Sequence, residues 1–339
     1  MAQILENISL KHLNTFGIDA MAKYYSEINS IVDLKELIQN KNFIDSEKLI
    51  VGGGSNILFT KNFEGFVLKN NLRGIKVVNE NAEFADVQAA AGEVWHQFVM
   101  WCLDKNYGGL ENLSLIPGCV GAGPMQNIGA YGVEIKDVFL ELEAHEICSG
   151  KKKTFTKEQC KFGYRESVFK HKFKNKFVIT AVTFRLSKSP KVNISYGAIN
   201  SELQSLGIQN PGIKDVSRAV ISIRNSKLPD PKVSGNAGSF FKNPEVDKVL
   251  YQNLKIRFSG LVGYELESGK YKLAAGWLIE KCGLKGYVQG NAAVHDKQAL
   301  VLVNKGNATG REIYDLSEYV LEEVFNKFGV KLEREVNII

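Results

Sequence analysis

From residue 116 to 132 the chain reads Ile-Pro-Gly-Cys-Val-Gly-Ala-Gly-Pro-Met-Gln-Asn-Ile-Gly-Ala-Tyr-Gly. Prolines at 117 and 124, with glycines at 118, 121, 123, 129 and 132, deny this stretch any regular helix or strand. The stretch is also nearly uncharged and partly apolar, which is unusual for a solvated loop. Gln126 and Asn127 offer amide donors and acceptors, and the small residues leave room for a flat ring system against the backbone. The segment reads as a ligand-contacting loop, with a long irregular surface loop as the alternative.

A second glycine stretch, Val51-Gly-Gly-Gly-Ser-Asn56, lies upstream. Consecutive glycines permit positive φ and close backbone approach, so successive N–H groups can form an anion-binding concavity. The stretch is neither the GxGxxG of a dinucleotide fold nor a P-loop, because no Gly-Lys-Ser/Thr follows. A tight strand-to-strand turn would look the same. Together the two loops suit a phosphate-bearing cofactor.

Length sets the frame for both. At 339 residues the chain is too long for one ordinary core, and two or three domains are expected. Ser30 to Asn40 predicts a helix capped by Ser30 and Asp33, flanked by buried strands at 48–51 and 65–69. From about 75 to 225 strands dominate, at 82–90, 138–147 and 177–186. One helix, Glu93 to Asn106, interrupts them, with Val94, Phe98, Trp101 and Cys102 spaced for a buried face. Lys227-Leu-Pro-Asp-Pro-Lys232 stiffens a boundary. Beyond it come a helix (274–282), a strand (298–303), and a long amphipathic helix opened by Thr309 and Glu312 and burying Ile313, Leu316, Val320 and Val324. Lys331 to Ile338 reads as a closing strand. The fold class is α+β with three domains.

Composition removes several functions. Hydrophobic content of 44% and charged content of 24% are those of a soluble globular protein, and no apolar run is long enough to span a membrane. Met1 to Leu10 carries no secretory pattern. Cys102, Cys119, Cys148, Cys160 and Cys282 form no CxxC pair, which points to reduced thiols in the cytoplasm rather than disulfides or zinc. The five histidines, His12, His96, His145, His171 and His295, lack metal-ligand spacing, so no metal is expected. The net charge of +6 suits an anionic ligand or simply a lysine-rich surface. The only basic run, Lys151-Lys152-Lys153, reads as a hairpin turn, and without interleaved aromatics no nucleic-acid binding is expected.

The chain resembles the UDP-N-acetylenolpyruvoylglucosamine reductase family of peptidoglycan-precursor enzymes. The resemblance runs through Asn14-Thr-Phe-Gly17, both glycine loops, Phe162-Gly-Tyr-Arg-Glu-Ser167, Lys227 to Lys232, Gly235-Asn-Ala-Gly-Ser-Phe-Phe-Lys-Asn-Pro244, Ala274-Ala-Gly-Trp-Leu-Ile279 and Leu332-Glu-Arg-Glu-Val336. It covers essentially the whole chain. It implies an FAD-binding fold of the vanillyl-alcohol-oxidase/PCMH type with a C-terminal α+β substrate domain. Residues 1–75 and 76–225 would hold FAD, rejoined by 328–339, and 226–327 would bind substrate. NADPH would reduce the non-covalent FAD and leave, and the enolpyruvyl ether of a UDP-sugar would then be reduced to the lactyl ether. Tyr264 matches the type I form, whose flexible loop closes over the substrate. The chain would act as a cytoplasmic monomer.

The resemblance also implies roles. FAD contacts fall on Val51, Gly52, Gly53, Gly54, Ser55, Asn56, Pro117, Gly118, Gly121, Ala122, Gln126, Asn127, Ile128, Tyr131, Gly132 and Arg224. Cys119, which departs from the family's usual Pro-Gly-Thr-Val-Gly, reads as a small packing residue rather than a covalent flavin link. Ser239 resembles the proton donor, and an unactivated alcohol suffices because the carbanion intermediate is a strong base. Arg165 resembles the arginine that pairs with the substrate carboxylate; a surface salt bridge with Glu166 is its plain alternative. Glu335 resembles the second catalytic residue, though its polar neighbours also fit a solvated strand edge. Beside the substrate carboxylate, like-charge repulsion would favour its protonated form. Tyr196, Lys227, Asn243, Tyr264 and Gln298 match positions around the UDP diphosphate and sugar, against the alternatives of core tyrosines, a surface lysine and a turn asparagine. Two other readings stay open: a flavin-dependent alcohol oxidase of the same cofactor fold, and a nucleotide-sugar-binding module without flavin.

Overall fold

The computed structural model describes residues 2–339, and the chain divides into two compact units. One gathers the chain up to Ile8, Met21–Gly54 and Phe63–Ser226; the other gathers Ser9–Ala20, Ser55–Asn62 and Lys227–Ile339.

The first unit opens with a small α/β layer. Strands run in the order Leu5–Ser9, Met21–Ile28, Phe63–Asn70, Lys48–Val51, and Phe63–Asn70 lies parallel to both its neighbours. The middle of that strand, Gly65 to Leu68, is buried and carries the apolar run Phe66-Val67-Leu68, as expected for a parallel strand covered on both faces. Helix Ile31–Leu37 starts where Ser30 Oγ accepts from the Asp33 N–H at 3.1 Å and the Asp33 carboxylate accepts from the Ser30 N–H at 3.0 Å. It buries Leu34 and Leu37 with Ile28, Phe43, Phe66 and Leu68. The single helix predicted for 30–40 stops at Leu37, and Asn40 caps a separate short turn of helix, Lys41–Asp45.

Against this layer the unit builds a five-stranded sheet ordered Lys152–Thr156, Phe139–Glu146, Phe177–Ser187, Phe84–Ala90, Ile75–Glu80. Its central strand is antiparallel to both neighbours, and alternation along Phe84–Ala90 buries Ala85, Val87 and Ala89. Helix Trp95–Asp104 packs Trp95 and Phe98 onto Phe184, with ring centroids 5.9 and 5.3 Å away. The predicted face of Val94, Phe98, Trp101 and Cys102 is shifted: the buried set is Trp95, Phe98, Val99, Cys102 and Leu103. The Trp95 indole N–H donates to the Leu113 carbonyl at 2.9 Å, so the ring enters the core with its polar atom satisfied. Val94 becomes the N-cap, and Trp101 is half-buried beside Tyr107. The strand-dominated stretch also holds helices Gly197–Ser205 and Ile213–Lys227, which pack Ile199 and Leu203 against Val216, Ala219, Val220 and Ile223.

The second unit is made of shorter pieces. Strands Glu245–Val246, Tyr271–Leu273 and Gly263–Glu265 form one small sheet; Val288–Gln289, Ala292–Val294 and Leu302–Asn304 form another. Helices Lys248–Arg257, Ala275–Lys281 and Gly310–Phe328 accompany them. The last begins at the capping box of Thr309 and Glu312, fully buries Ile313, Leu316, Val320 and Val324, and ends at Gly329 in the left-handed conformation (φ +67°). The predicted strand at 331–338 is regular only at Asn337–Ile338, parallel to Ile57–Leu58. Before it, Lys242 N–H donates to Glu333 O (2.9 Å) and Glu335 N–H to Phe240 O (2.8 Å), across a single antiparallel bridge between Phe241 and Arg334. Among the described residues no helix is long and apolar enough to cross a membrane.

Thr309→Ala removes the hydroxyl that accepts the Glu312 N–H and is expected to cost about 1 kcal/mol. A lower urea midpoint with unchanged slope is the signature; an unaltered midpoint would show that the cap contributes nothing.

Candidate active site

In the first unit the two glycine loops meet backbone to backbone. A Cβ built on Gly53 would lie 2.9 Å from Gly118 Cα, and one on Gly52 would lie 3.1 Å from Cys119 Cβ. Gly118 has φ +112° and Gly54 φ +61°, conformations that favour glycine. The second loop is pinned to the turn before helix Trp95–Asp104 by Trp95 N–H to Gly118 O (3.0 Å), Val120 N–H to Glu93 O (2.9 Å) and Gly121 N–H to Ala91 O (2.9 Å). The Lys69 ammonium, on the central parallel strand, donates to Gly52 O and fixes the orientation of that peptide. A side chain-free cradle of this kind suits a flat cofactor with a diphosphate tail.

Further along, Asn127 is fully buried with φ +47°. Its amide nitrogen donates to Glu134 Oε2 (2.9 Å) and Gly163 O (3.0 Å), and its Oδ1 accepts from the Lys136 N–H (3.1 Å). The side chain is thus spent on the protein, leaving the main chain for a ligand. Tyr131 (φ +51°) meets Tyr196 edge-on at 5.3 Å. Arg224 donates from Nε to Leu115 O at 3.2 Å and bonds the Tyr131 hydroxyl; burial lowers its pKa and raises that of Tyr131. Leu115 N–H in turn donates to His96 Nδ1 at 3.0 Å. Burial, helped by the nearby Arg224 charge, lowers the His96 pKa and keeps that ring neutral. Burial likewise raises the Cys119 thiol, which suits a packing residue. Gln126, Ala122, Pro117, Ile128 and Gly132 all lie along the same loop.

Arg165 stands at the tip of a tight turn closed by the Gly163–Glu166 bridge, itself at φ +55°. Its Nη2 donates to Gly129 O at 2.7 Å. Glu166, the plain salt-bridge partner in the sequence reading, has its carboxylate 2.5 Å from His171 Nε2.

The second unit holds Ser239 and Glu335 on neighbouring strands. Ser239 pairs with Val301 in an antiparallel bridge, Phe240 N–H donates to Leu300 O (2.7 Å), and Glu335 N–H donates to Phe240 O on the other side. Gly238, at φ +70°, turns the chain into this strand, and the buried Asn236 holds the turn through Gly238 N–H (2.9 Å), Ser234 O (2.9 Å) and Pro229 O (3.1 Å). Asn56, at the end of the first glycine loop, donates to Glu335 O at 3.2 Å and its carbonyl accepts from Asn337. That loop therefore runs from Val51–Gly54 in one unit to Ser55–Asn56 in the other. Asn243 Oδ1 accepts from Ala275 N–H (3.0 Å), and Gln298 Oε1 lies 2.9 Å from where a Cβ on Gly276 would sit. These two converge on one helix start. Tyr264 is 64% exposed, and Lys227 is exposed at the end of its helix.

Sequence reasoning missed Lys69, Asn236 and Glu134. Lys69 had a signal, a cation directly after the buried run Phe66-Val67-Leu68; Asn236 had none beyond its place beside Gly235, and Glu134 had none. Gly53→Ala is expected to force the loops apart at a cost of about 1–3 kcal/mol. Such a variant should purify with a depleted flavin absorption band, and full flavin content would remove the cradle from consideration.

Residues 23–155 match an FAD binding domain family, and residues 230–339 match the C-terminal domain of UDP-N-acetylenolpyruvoylglucosamine reductase. A Flavobacterium johnsoniae protein bearing the name UDP-N-acetylenolpyruvoylglucosamine reductase is 50% identical over 99% of this chain and 100% of its own length. One from Pseudomonas savastanoi pv. phaseolicola is 48% identical over 99% of each. The crystal structure of the Thermus caldophilus enzyme of that name superposes with a TM-score of 0.71 at 21% identity, over 100% of this chain and 99% of that one, and so shares its fold. The architecture thus pairs an α+β FAD-binding fold with the C-terminal domain of this reductase family. With identity of this order along its whole length, the chain belongs to the UDP-N-acetylenolpyruvoylglucosamine reductase family.

Proposed function

We propose that Arg165, Ser239 and Glu335 carry the NADPH-dependent, FAD-mediated reduction of UDP-N-acetylglucosamine enolpyruvate to UDP-N-acetylmuramate in peptidoglycan precursor synthesis. The observation that carries the assignment is the 2.8 Å bond from Glu335 N–H to Phe240 O, which sets the proton donor's strand beside that of the second acidic group. The fit of the cofactor rests on the glycine cradle, where a Cβ on Gly53 would come within 2.9 Å of Gly118 Cα and one on Gly121 within 2.5 Å of Ala91 Cβ. When bound, the flavin supplies hydride from its N5 position.

The protein's residues do the rest. Hydride addition at the methylene carbon leaves an electron pair on the neighbouring carbon, delocalised into the carboxylate. The planar Arg165 fork holds that carboxylate by two parallel bonds. The Ser239 hydroxyl delivers the proton to the carbon, because the enediolate is basic enough to deprotonate an alcohol. Glu335, in its protonated form beside the carboxylate, donates a hydrogen bond to the accumulating charge. Lys227 and Tyr196 serve the diphosphate, and Asn243, Gln298 and Tyr264 the sugar-nucleotide. Within this reading residues 1–75 and 76–225 hold FAD, 226–327 bind substrate, and 328–339 carry Glu335. The enzyme works as a monomer in the cytoplasm, where its unpaired thiols stay reduced.

Ser239→Ala is expected to leave bleaching of the flavin by NADPH at its wild-type rate. Reoxidation by the enolpyruvyl substrate should fall by about a hundredfold to ten-thousandfold, the worth of a positioned general acid. Reoxidation at the normal rate would reassign the proton donor. For Glu335, the Gln variant should keep far more turnover than the Ala variant; equal loss in both would count against a neutral hydrogen-bond donor.

A further inference from the structure

The turn that carries Arg165 is sewn to the second glycine loop by three hydrogen bonds, all inside the first unit. Asn127 donates to Gly163 O at 3.0 Å, Arg165 Nη2 to Gly129 O at 2.7 Å, and Ser167 Oγ to Met125 O at 2.7 Å. One donor comes from the loop and two from the turn, so neither segment can slide without breaking bonds in both directions. Two of its three donor side chains, on Asn127 and Ser167, are buried. Gly129 is what lets the guanidinium lie against the backbone, since a Cβ there would come within 3.2 Å of Arg165 Nη1 and 2.9 Å of Val133 O. The strained backbone of the seam, with Asn127 at φ +47° and Arg165 at φ +55°, persists because the surrounding bonds over-determine it. Ser167 also caps the short helical turn Val168–Lys170, and Lys170 Nζ returns to Arg165 O at 3.2 Å, closing the turn from its far side.

We infer that Ser167 and Asn127 are positioning residues, and that this seam sets the carboxylate-binding arginine by the same loop that holds the flavin. The inference rests on Arg165 being the carboxylate ligand. Its consequence is selective. NADPH carries no carboxylate for Arg165 to grip, so delivery of hydride to the flavin does not depend on the seam, whereas recognition of the enolpyruvyl carboxylate does.

Ser167→Cys keeps the volume but replaces a strong hydroxyl donor with a weak one. It is expected to raise KM for the enolpyruvyl substrate about fivefold, the worth of one buried hydrogen bond. Flavin content and the rate of flavin reduction by NADPH should stay at wild-type values, and Ser167→Thr should restore KM. An unchanged KM in Ser167→Cys, a Thr variant that fails to restore it, or parallel losses of flavin and of NADPH oxidation would each overturn the assignment. Arg165→Ala, assayed alongside, separates the two levels. If it leaves the enolpyruvyl KM unchanged, the reading of Arg165 is wrong; if it raises KM while Ser167→Cys does not, only the seam is wrong.

Discussion

Gly53 and Gly118 touch through their main chains, and nothing larger than hydrogen fits between them. Two loops rich in glycine lose much conformational entropy on ordering, so such a contact forms only if other bonds hold each loop in place. Here the strand ending at Val51 fixes one loop and the Lys69 ammonium clamps its Gly52 carbonyl, while Trp95, Val120 and Gly121 tether the other to the sheet-to-helix turn. The core beneath, built on Trp95, Phe98 and Phe184, is rigid enough to carry these tethers. Glycine cradle and hydrophobic core are therefore one construction: the helix that fills the core also supplies the atoms that hold the loop.

Charge is handled with the same economy. Arg224 is partly buried, in surroundings that lower its pKa and where a guanidinium keeps its charge. Its neighbours are a carbonyl and a phenol rather than a carboxylate, so its positive field is not cancelled on the spot. His96, held neutral next to it, accepts a backbone N–H without adding a competing charge.

How much of this was legible depended on the range of the forces involved. The glycine loops and the capping boxes at Ser30 and Thr309 are local patterns, and they appear in the fold where the sequence places them. The phase of helix Trp95–Asp104 was not, because one indole N–H reaching Leu113 O, far along the chain, decided which residues face inward. Likewise Lys331 to Ile338 reads as a strand from its own residues, yet its partners, at 240–242 and 56–58, lie too far away for the pattern to reveal which part would pair regularly. Asn127 illustrates the site: its amide marks it as polar and available, and only the positions of Glu134 and Gly163 show that the protein itself takes every bond.

The amide of Asn56 reaches the carbonyl of Glu335 across 279 residues of chain. Closing so large a loop is entropically expensive and slow, and it rewards nothing until both ends have arrived. Each unit is drawn mostly from one uninterrupted stretch, Phe63–Ser226 in the first and Lys227–Ile339 in the second, with shorter pieces brought in from earlier in the chain. During refolding the contact between Asn56 and Glu335 is therefore expected to form late, after the more local structure of each unit.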